Sequence, residues 1–185
     1  GLGTVGNDLT ITGGAVTQGG AITRNVNVSG AGTLTGNTGA ASDVGGTLTL
    51  QATSGAVVVQ DVAGAVGVAG GNLTMRNAAA DVAVSGGTVA GLGTVGNDLT
   101  ITGGAVTQNG AITRNVNVSG TGTLTGGAAS DIGGTLTLQA TSGAVVVNNV
   151  AGAVGVAGGN LTANNVNGLL TLNSKAPITT NITGN

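Results

Sequence analysis

Residues 47–71 carry the sequence TLTLQATSGAVVVQDVAGAVGVAGG, which recurs at 135–159 with only two changes. Within it, the runs Thr47–Gln51, Ala56–Val59 and Ala65–Val68 alternate apolar residues with small or polar ones. A period of two places Leu48 and Leu50 on one side of a strand and the threonines on the other. Three short strands joined by glycine-containing corners, and then repeated, predict the coils of a β-solenoid.

The duplication extends well beyond this unit. Residues 1–30 and 91–120 are identical apart from Gly19, which is replaced by Asn109. Repetition at a fixed period is typical of stacked architectures, in which each unit buries its apolar side against its neighbours. We therefore predict a single β-solenoid over 1–185, with large repeats at 1–90 and 91–175 and a divergent end at 176–185. The opening GLGTVG recurs at 91–96, so we expect the chain to be an excerpt of a longer array.

A shorter period sets the predicted coil. Six strands of the Leu-Thr type are separated by 25 or 26 residues, except for two intervals of 39 and 37. We predict about 25 residues and three strands per coil, with Leu48 stacked on Leu73. The two long intervals are interpreted as a coil plus a partial coil or an extended corner, at Thr33–Gly46 and Thr123–Gly134. The strands open at Asp8, Thr47, Asn72, Asp98, Thr135 and Asn160.

Composition limits what the interior can be. The chain has 39 glycines, one proline and no Cys, His, Phe, Tyr or Trp. Its core must therefore consist of Val, Leu, Ile and Ala, which fill a narrow tube well. The net charge of −2 and the lack of aromatic residues argue against nucleic-acid binding. No apolar run is long enough for a transmembrane helix.

Three motifs suggest chemistry, and each has a simpler structural explanation. Gly1-x-Gly3-x-x-Gly6, repeated at 91–96, matches a dinucleotide fingerprint, but a strand follows it where a helix is required. Asp8 and Asp98 resemble part of a calcium-binding nonapeptide, yet they lie 90 residues apart. Asp43 and Asp61 would form a carboxylate pair only if their coils were adjacent. We expect no enzymatic activity, no cofactor and no metal.

Threonines give the one candidate binding face. Pairs of the form Thr-x-Thr recur on strands that we expect to stack in successive coils, which would present regularly spaced hydroxyl and methyl groups. One interpretation is that threonine simply suits an exposed strand. The other is recognition of a repetitive surface, such as ice or a polysaccharide. The residues are Thr10, Thr12, Thr47, Thr49, Thr100, Thr102, Thr135 and Thr137.

The phrases DLTITGGAVTQGGAIT, TLTLQATSGAVVV and GGNLT resemble the repeats of bacterial surface proteins of the filamentous-haemagglutinin type. Related β-strand-repeat exoproteins and autotransporter passengers look similar, and the resemblance covers roughly residues 1–173. It implies a right-handed parallel β-helix that is exported across the outer membrane and displayed or released as an adhesin.

The expected function is accordingly structural: an adhesin stalk or a subunit of an extracellular filament at the bacterial cell surface. The expected partners are further copies joined end to end, with a host-surface glycan or protein as a second kind of partner. The alternative function is a binding module that uses the threonine face on ice or polysaccharide.

Overall fold

The computed structural model describes residues 1–36, 43–173 and 179–183. These residues wind into a parallel β-solenoid of about nine turns, with roughly 18 residues per turn and no helix within the described ranges. The all-β solenoid prediction is confirmed. The strands are β1 (Leu9–Ile11), β2 (Ala15–Thr17), β3 (Val26–Gly30), β4 (Thr33–Thr35), β5 (Leu48–Val58), β6 (Asp61–Val62), β7 (Val66–Thr74), β8 (Asn77–Ala78), β9 (Val82–Val84), β10 (Thr88–Leu92), β11 (Leu99–Ile101), β12 (Ala105–Gln108), β13 (Val116–Gly120), β14 (Thr123–Gly126), β15 (Leu136–Val150), β16 (Val154–Val166), β17 (Leu170–Leu172) and β18 (Thr179–Ile182).

Three stacks of parallel strands form the sides of the solenoid. Face A contains β1, β3, β9, β11, β13, β17 and the first parts of β5, β7, β15 and β16. Face B contains β2, β4, β10, β12, β14, β18 and the later parts of the same four long strands. Face C is narrow and consists of β6, β8, the last residues of β15 and β16, and single bridges such as Ile22↔Val44.

The coil is shorter than the 25 residues predicted. Leu48 lies between Val26 and Val66 on face A. Leu73 lies on face B, between Val57 and Val89. The expected stacking of Leu48 on Leu73 is therefore wrong. Faces A and B share the same Leu-Thr pattern, so the 25-residue interval joins face A of one coil to face B of the next.

The long intervals also have a different explanation. On face A, Leu9 pairs with Val26 and Val26 with Leu48, so the 39-residue interval spans two complete coils. Thr33–Thr35 is the face B strand of the second of these coils, not a partial coil. Residues 37–42 of the predicted extended corner lie outside the described residues. The interval of 37 residues likewise covers two coils, through Val116.

The run Ala65–Val68, predicted as the third strand of its coil, instead begins the next one. Val66 and Val68 pair with Leu48 and Leu50 on face A. The third side of the coil is the two-residue strand β6 on face C. A strand of two residues has too few positions for a period of two to be read from sequence, which explains the error.

Aliphatic side chains fill the interior, as the composition predicted. Inward positions in the central coils are buried on all three faces, whereas those of the end coils, such as Leu9 and Leu170, are partly exposed. Apart from Met75, the buried hydrophobic side chains are Val, Leu, Ile and Ala. Each one stacks on its equivalents in the coils before and after it. Such a continuous apolar column supplies the main driving force for folding in a chain without aromatic residues.

Candidate functional site

The eight threonines all lie on face A or at its entry corner, but not in successive coils. Thr10, Thr49, Thr100 and Thr137 share one outward column. Asn27 separates the first two of them and Asn117 the last two, while Gly67 and Ala83 separate Thr49 from Thr100. The column is therefore mixed, and the expected continuous array of hydroxyl groups is not formed.

The other four threonines occupy two neighbouring columns. Thr12 and Thr102 are exposed, one position beyond the ends of β1 and β11. Thr47 and Thr135 lie at the corner between faces C and A, and their hydroxyls donate to the side-chain oxygens of asparagines in the preceding coil, each at 3.0 Å. These two hydroxyls thus take part in a structural network and are not free for a ligand.

A ladder of polar side chains runs along this corner. Asn25 donates from its backbone and its amide to Oδ1 of Asp8, both at 3.2 Å, and its own Oδ1 accepts from the backbone of Thr47 at 2.9 Å. Asp98, Asn115 and Thr135 repeat the arrangement in the second large repeat. Each side chain satisfies a backbone N–H where the strand ladder is interrupted by the turn. The sequence signal was an Asp, Asn or Thr directly before seven of the ten face A strands; β7, β16 and β17 follow Ala65, Ala153 and Leu169 instead.

Face A carries two shallow troughs where small residues lie between larger ones. The first has a volume of about 200 Å³ and is floored by Gly67 and Ala83 between Thr49 and Thr100. The second has the same volume and is floored by Gly155 between Thr137 and Thr171. Most of the exposed lining of both troughs is apolar, with threonine hydroxyls and a glutamine amide among the lining groups, and no charged side chain lines either trough. The troughs were not predicted, because their depth depends on which coils become neighbours.

Charged side chains are confined to two corners. In the part of the chain that the structure describes, they border face C, and the outward positions of faces A and B carry none. Ion pairs join Arg24 to Asp8 at 3.4 Å and Arg114 to Asp98 at 3.7 Å. All four side chains are substantially exposed, so each pair contributes little to stability. The charged residues are Asp8, Arg24, Asp43, Asp61, Arg76, Asp81, Asp98, Arg114 and Asp131.

Asp61 and Arg76 form the most closely bonded of these pairs. The guanidinium donates to both carboxylate oxygens, and the amide of Asn77 donates to Oδ1 at 2.8 Å. The hydrogen bond from Arg76 lowers the pKa of Asp61, partial burial opposes this effect, and the bond from Asn77 adds to it. Asp43 occupies the equivalent position on the neighbouring coil, so the two carboxylates do lie on adjacent coils. Arg76, however, already engages Asp61.

The remaining motifs are structural. Gly91 has a φ of 72°, and Gly91–Gly96 lies on the path from face B to face C, with the strand β11 following it. Asp8 and Asp98 belong to separate parts of the corner ladder. Among the described residues, no group of three or more His, Cys, Asp or Glu side chains is placed to hold a metal ion. None of these residues forms a helix long and apolar enough to cross a membrane.

Two buried glutamines were missed by the sequence analysis. Gln18 and Gln108 occupy equivalent positions in the two large repeats and are 1% and 0% exposed. Gln18 directly follows the face B strand β2, and Gln108 is the last residue of the face B strand β12. Each amide nitrogen donates to the backbone oxygen two residues later, in Gly20 and Gly110. Each Oε1 is buried without a hydrogen-bond partner among the described residues.

These features define a β-solenoid repeat protein with an aliphatic core, two uncharged faces and charged corners beside the third. No family model, curated protein or solved structure matches the chain.

Proposed function

We propose that this chain is a section of a structural stalk or filament displayed at, or released from, a bacterial cell surface as part of an adhesin. The observation that supports this is the continuous ladder of parallel strands along all three faces. Because every coil adds the same rise, a longer repeat sequence gives a proportionally longer solenoid. At about 4.8 Å per coil, nine turns extend for roughly 43 Å. A solenoid of this kind separates whatever lies at its two ends while presenting a uniform flank.

The resemblance to filamentous-haemagglutinin repeats supports the cellular setting, and the winding belongs to the same proposal. Parallel strands joined by crossover connections are right-handed in about 98% of cases, and we propose the same hand here. Export and surface display are proposed from the resemblance, as is end-to-end continuation of the array.

Electron microscopy of the full-length parent protein tests the stalk. We expect a thin rod whose contour length increases by about 4.8 Å for each 18 residues of repeat sequence. Protease treatment of intact cells should remove the repeat region while cytoplasmic markers survive. A compact particle, or repeats protected until the cells are lysed, would contradict the proposal.

The two troughs on face A favour a second candidate function, the binding of ice or a neutral polysaccharide. Both troughs begin beside an equivalent Thr and Gln, Thr49 and Gln51 in one and Thr137 and Gln139 in the other, and neither is lined by a charged side chain. Thr100→Lys would place a charge in the wall of the first trough, so ice shaping or glycan retention should fall sharply while the melting temperature holds. Thr88→Lys on face B is the matched control. Equal activity in both variants and the parent chain would rule out face A as the binding surface.

A further inference from the structure

We propose that face B is a self-association surface, which pairs with face B of a second copy in antiparallel orientation. Face B consists of ten strands in register, from β2 to β18, and its described outward positions carry no charged side chain. Charged side chains on exposed strands are one device by which proteins prevent such pairing, and face B has none among its described outward positions.

The outward surface of face B is also even in height. Apart from Thr179, whose side chain is not described, every outward residue of face B is Ala, Thr, Val or Asn. The projecting side chains therefore differ little in height. Face A is uneven by comparison, because Gln51 and Gln139 stand beside the troughs at Gly67 and Gly155. Even rows of small and β-branched side chains are the kind that interdigitate without water between two sheets about 10 Å apart.

Two outward valines make face B complementary to face B of a second copy. Val58 and Val146 are the only outward valines on the described part of face B, and Val146 is 37% exposed. They lie on the third strand from each end of the ten-strand stack. Rotating a second copy by 180° about an axis parallel to the strands places Val58 opposite Val146 of the partner subunit, and makes the reciprocal contact at the same time.

The same rotation also brings different side chains together in the central rows. Ala90, on the fifth strand, then faces Thr107 of the partner subunit on the sixth, so that a small side chain meets a larger one. Asn72, on the fourth strand, faces Thr123 of the partner subunit on the seventh, which pairs an amide with a hydroxyl. A parallel arrangement would instead place each row against an identical row.

The area is sufficient for a modest affinity. Ten strands about 4.8 Å apart, each three or four residues or roughly 10–14 Å long, give on the order of 450–600 Å² per copy, or about 900–1,200 Å² in total. That total is at the lower end for specific interfaces, so we expect a reversible dimer with a dissociation constant in the micromolar range. The pairing does not depend on where the chain resides, so its failure would leave the proposed stalk untouched.

Cysteine cross-linking tests the geometry, because the chain contains no cysteine. Under mild oxidation, the Val58→Cys/Val146→Cys double variant should form a disulfide-linked dimer at protein concentrations where the single Val58→Cys variant does not. The matched control is Thr49→Cys/Thr137→Cys, at equivalent coils on face A. Cross-linking of the single variant, or equal cross-linking of the control, would overturn the antiparallel face B pairing.

Sedimentation tests the association without oxidation. The unmodified chain should show a monomer–dimer equilibrium at micromolar concentrations. Val146→Lys should shift it to monomer while the melting temperature of the dilute protein stays within a few degrees of the parent. A chain that remains monomeric at high micromolar concentration would overturn the proposal, as would a monomer that binds neutral polysaccharide through face B.

Discussion

The backbone N–H of Thr135 donates a hydrogen bond of 2.9 Å to Oδ1 of Asn115, one coil earlier. The same oxygen accepts from the Thr135 hydroxyl at 3.0 Å, and the Asn115 amide donates to Asp98 at 3.1 Å. A single side chain therefore links three successive coils at the corner between faces C and A. These side-chain bonds continue the coil-to-coil hydrogen bonding along the solenoid axis at a turn, where the backbone bonds of the strands are interrupted.

Replacing this asparagine should loosen the corner. Asn115→Ala leaves the Thr135 N–H without its side-chain partner, and we expect a loss of about 1–2 kcal/mol in the free energy of unfolding. The control is Asn117→Ala, two residues later, whose side chain is exposed in the middle of face A. Denaturant titration of both variants measures the difference. Equal losses would show that the corner ladder adds nothing beyond ordinary strand preference.

Glycine at the corner between faces A and B gives a second prediction. A Cβ on Gly55 would lie 1.9 Å from the backbone oxygen of Gly32, whereas a Cβ on Gly67 would meet nothing within 4 Å. Gly55→Ala must push two coils apart and should cost more than about 2 kcal/mol. Gly67→Ala should be neutral or slightly stabilising, because alanine restricts the unfolded chain. Thermal unfolding distinguishes the two, and a neutral Gly55→Ala would refute the tight stacking of these coils.

The β-solenoid architecture was predictable because its two signs, the alternation of apolar and polar residues and the internal duplication, are visible in the linear sequence. Coil length was not, since Leu48 and Leu73 look alike in sequence although they lie on different faces. Face C was not predicted for a related reason, because a two-residue strand such as Asp61–Val62 is too short to show a periodicity.

The candidate binding face was predicted only in part. All eight threonines do lie on face A or its corner, because outward positions follow from the period of each strand. Their neighbours depend on the register between coils, which places Gly67 and Ala83 between Thr49 and Thr100. The roles of Asn25 and Asn115 depend on the same register, so the corner ladder could not be predicted from the sequence alone.

The buried glutamines lead to a third prediction. Gln108 places an unpartnered carbonyl oxygen in the core, and the desolvation of that oxygen opposes the stabilisation from the amide bond to Gly110. Gln108→Met keeps the length of the side chain and removes that oxygen, and we expect a gain of about 1 kcal/mol. Gln139→Met, on the exposed side of face A, should change little. A destabilised Gln108→Met would show that the bond to Gly110 is worth more than the unpartnered oxygen costs.

The last prediction concerns acid stability and uses a difference between the two large repeats. Asp61 corresponds to Asn149, and Arg76 to Asn164, 88 residues later. The hydrogen bond from Arg76 lowers the pKa of Asp61, so the ionised carboxylate stabilises the fold above its ordinary pKa. That contribution is lost as pH falls below about 4, through the lowered value. Asp61→Asn should therefore unfold with a weaker dependence on pH in this range.

The reciprocal variant should respond in the opposite sense. Asn149 donates to Asp131 at 2.7 Å, and Asn149→Asp replaces that bond with two carboxylates on adjacent coils and no arginine beside them. The variant should lose about 1–2 kcal/mol at pH 7 and regain part of it on acidification, when one carboxylate is protonated. Melting temperatures between pH 7 and 2 measure both effects. If the pH dependence of the melting temperature changed in the same direction in both variants, the pairing of Arg76 with Asp61 would not explain the difference between the two repeats.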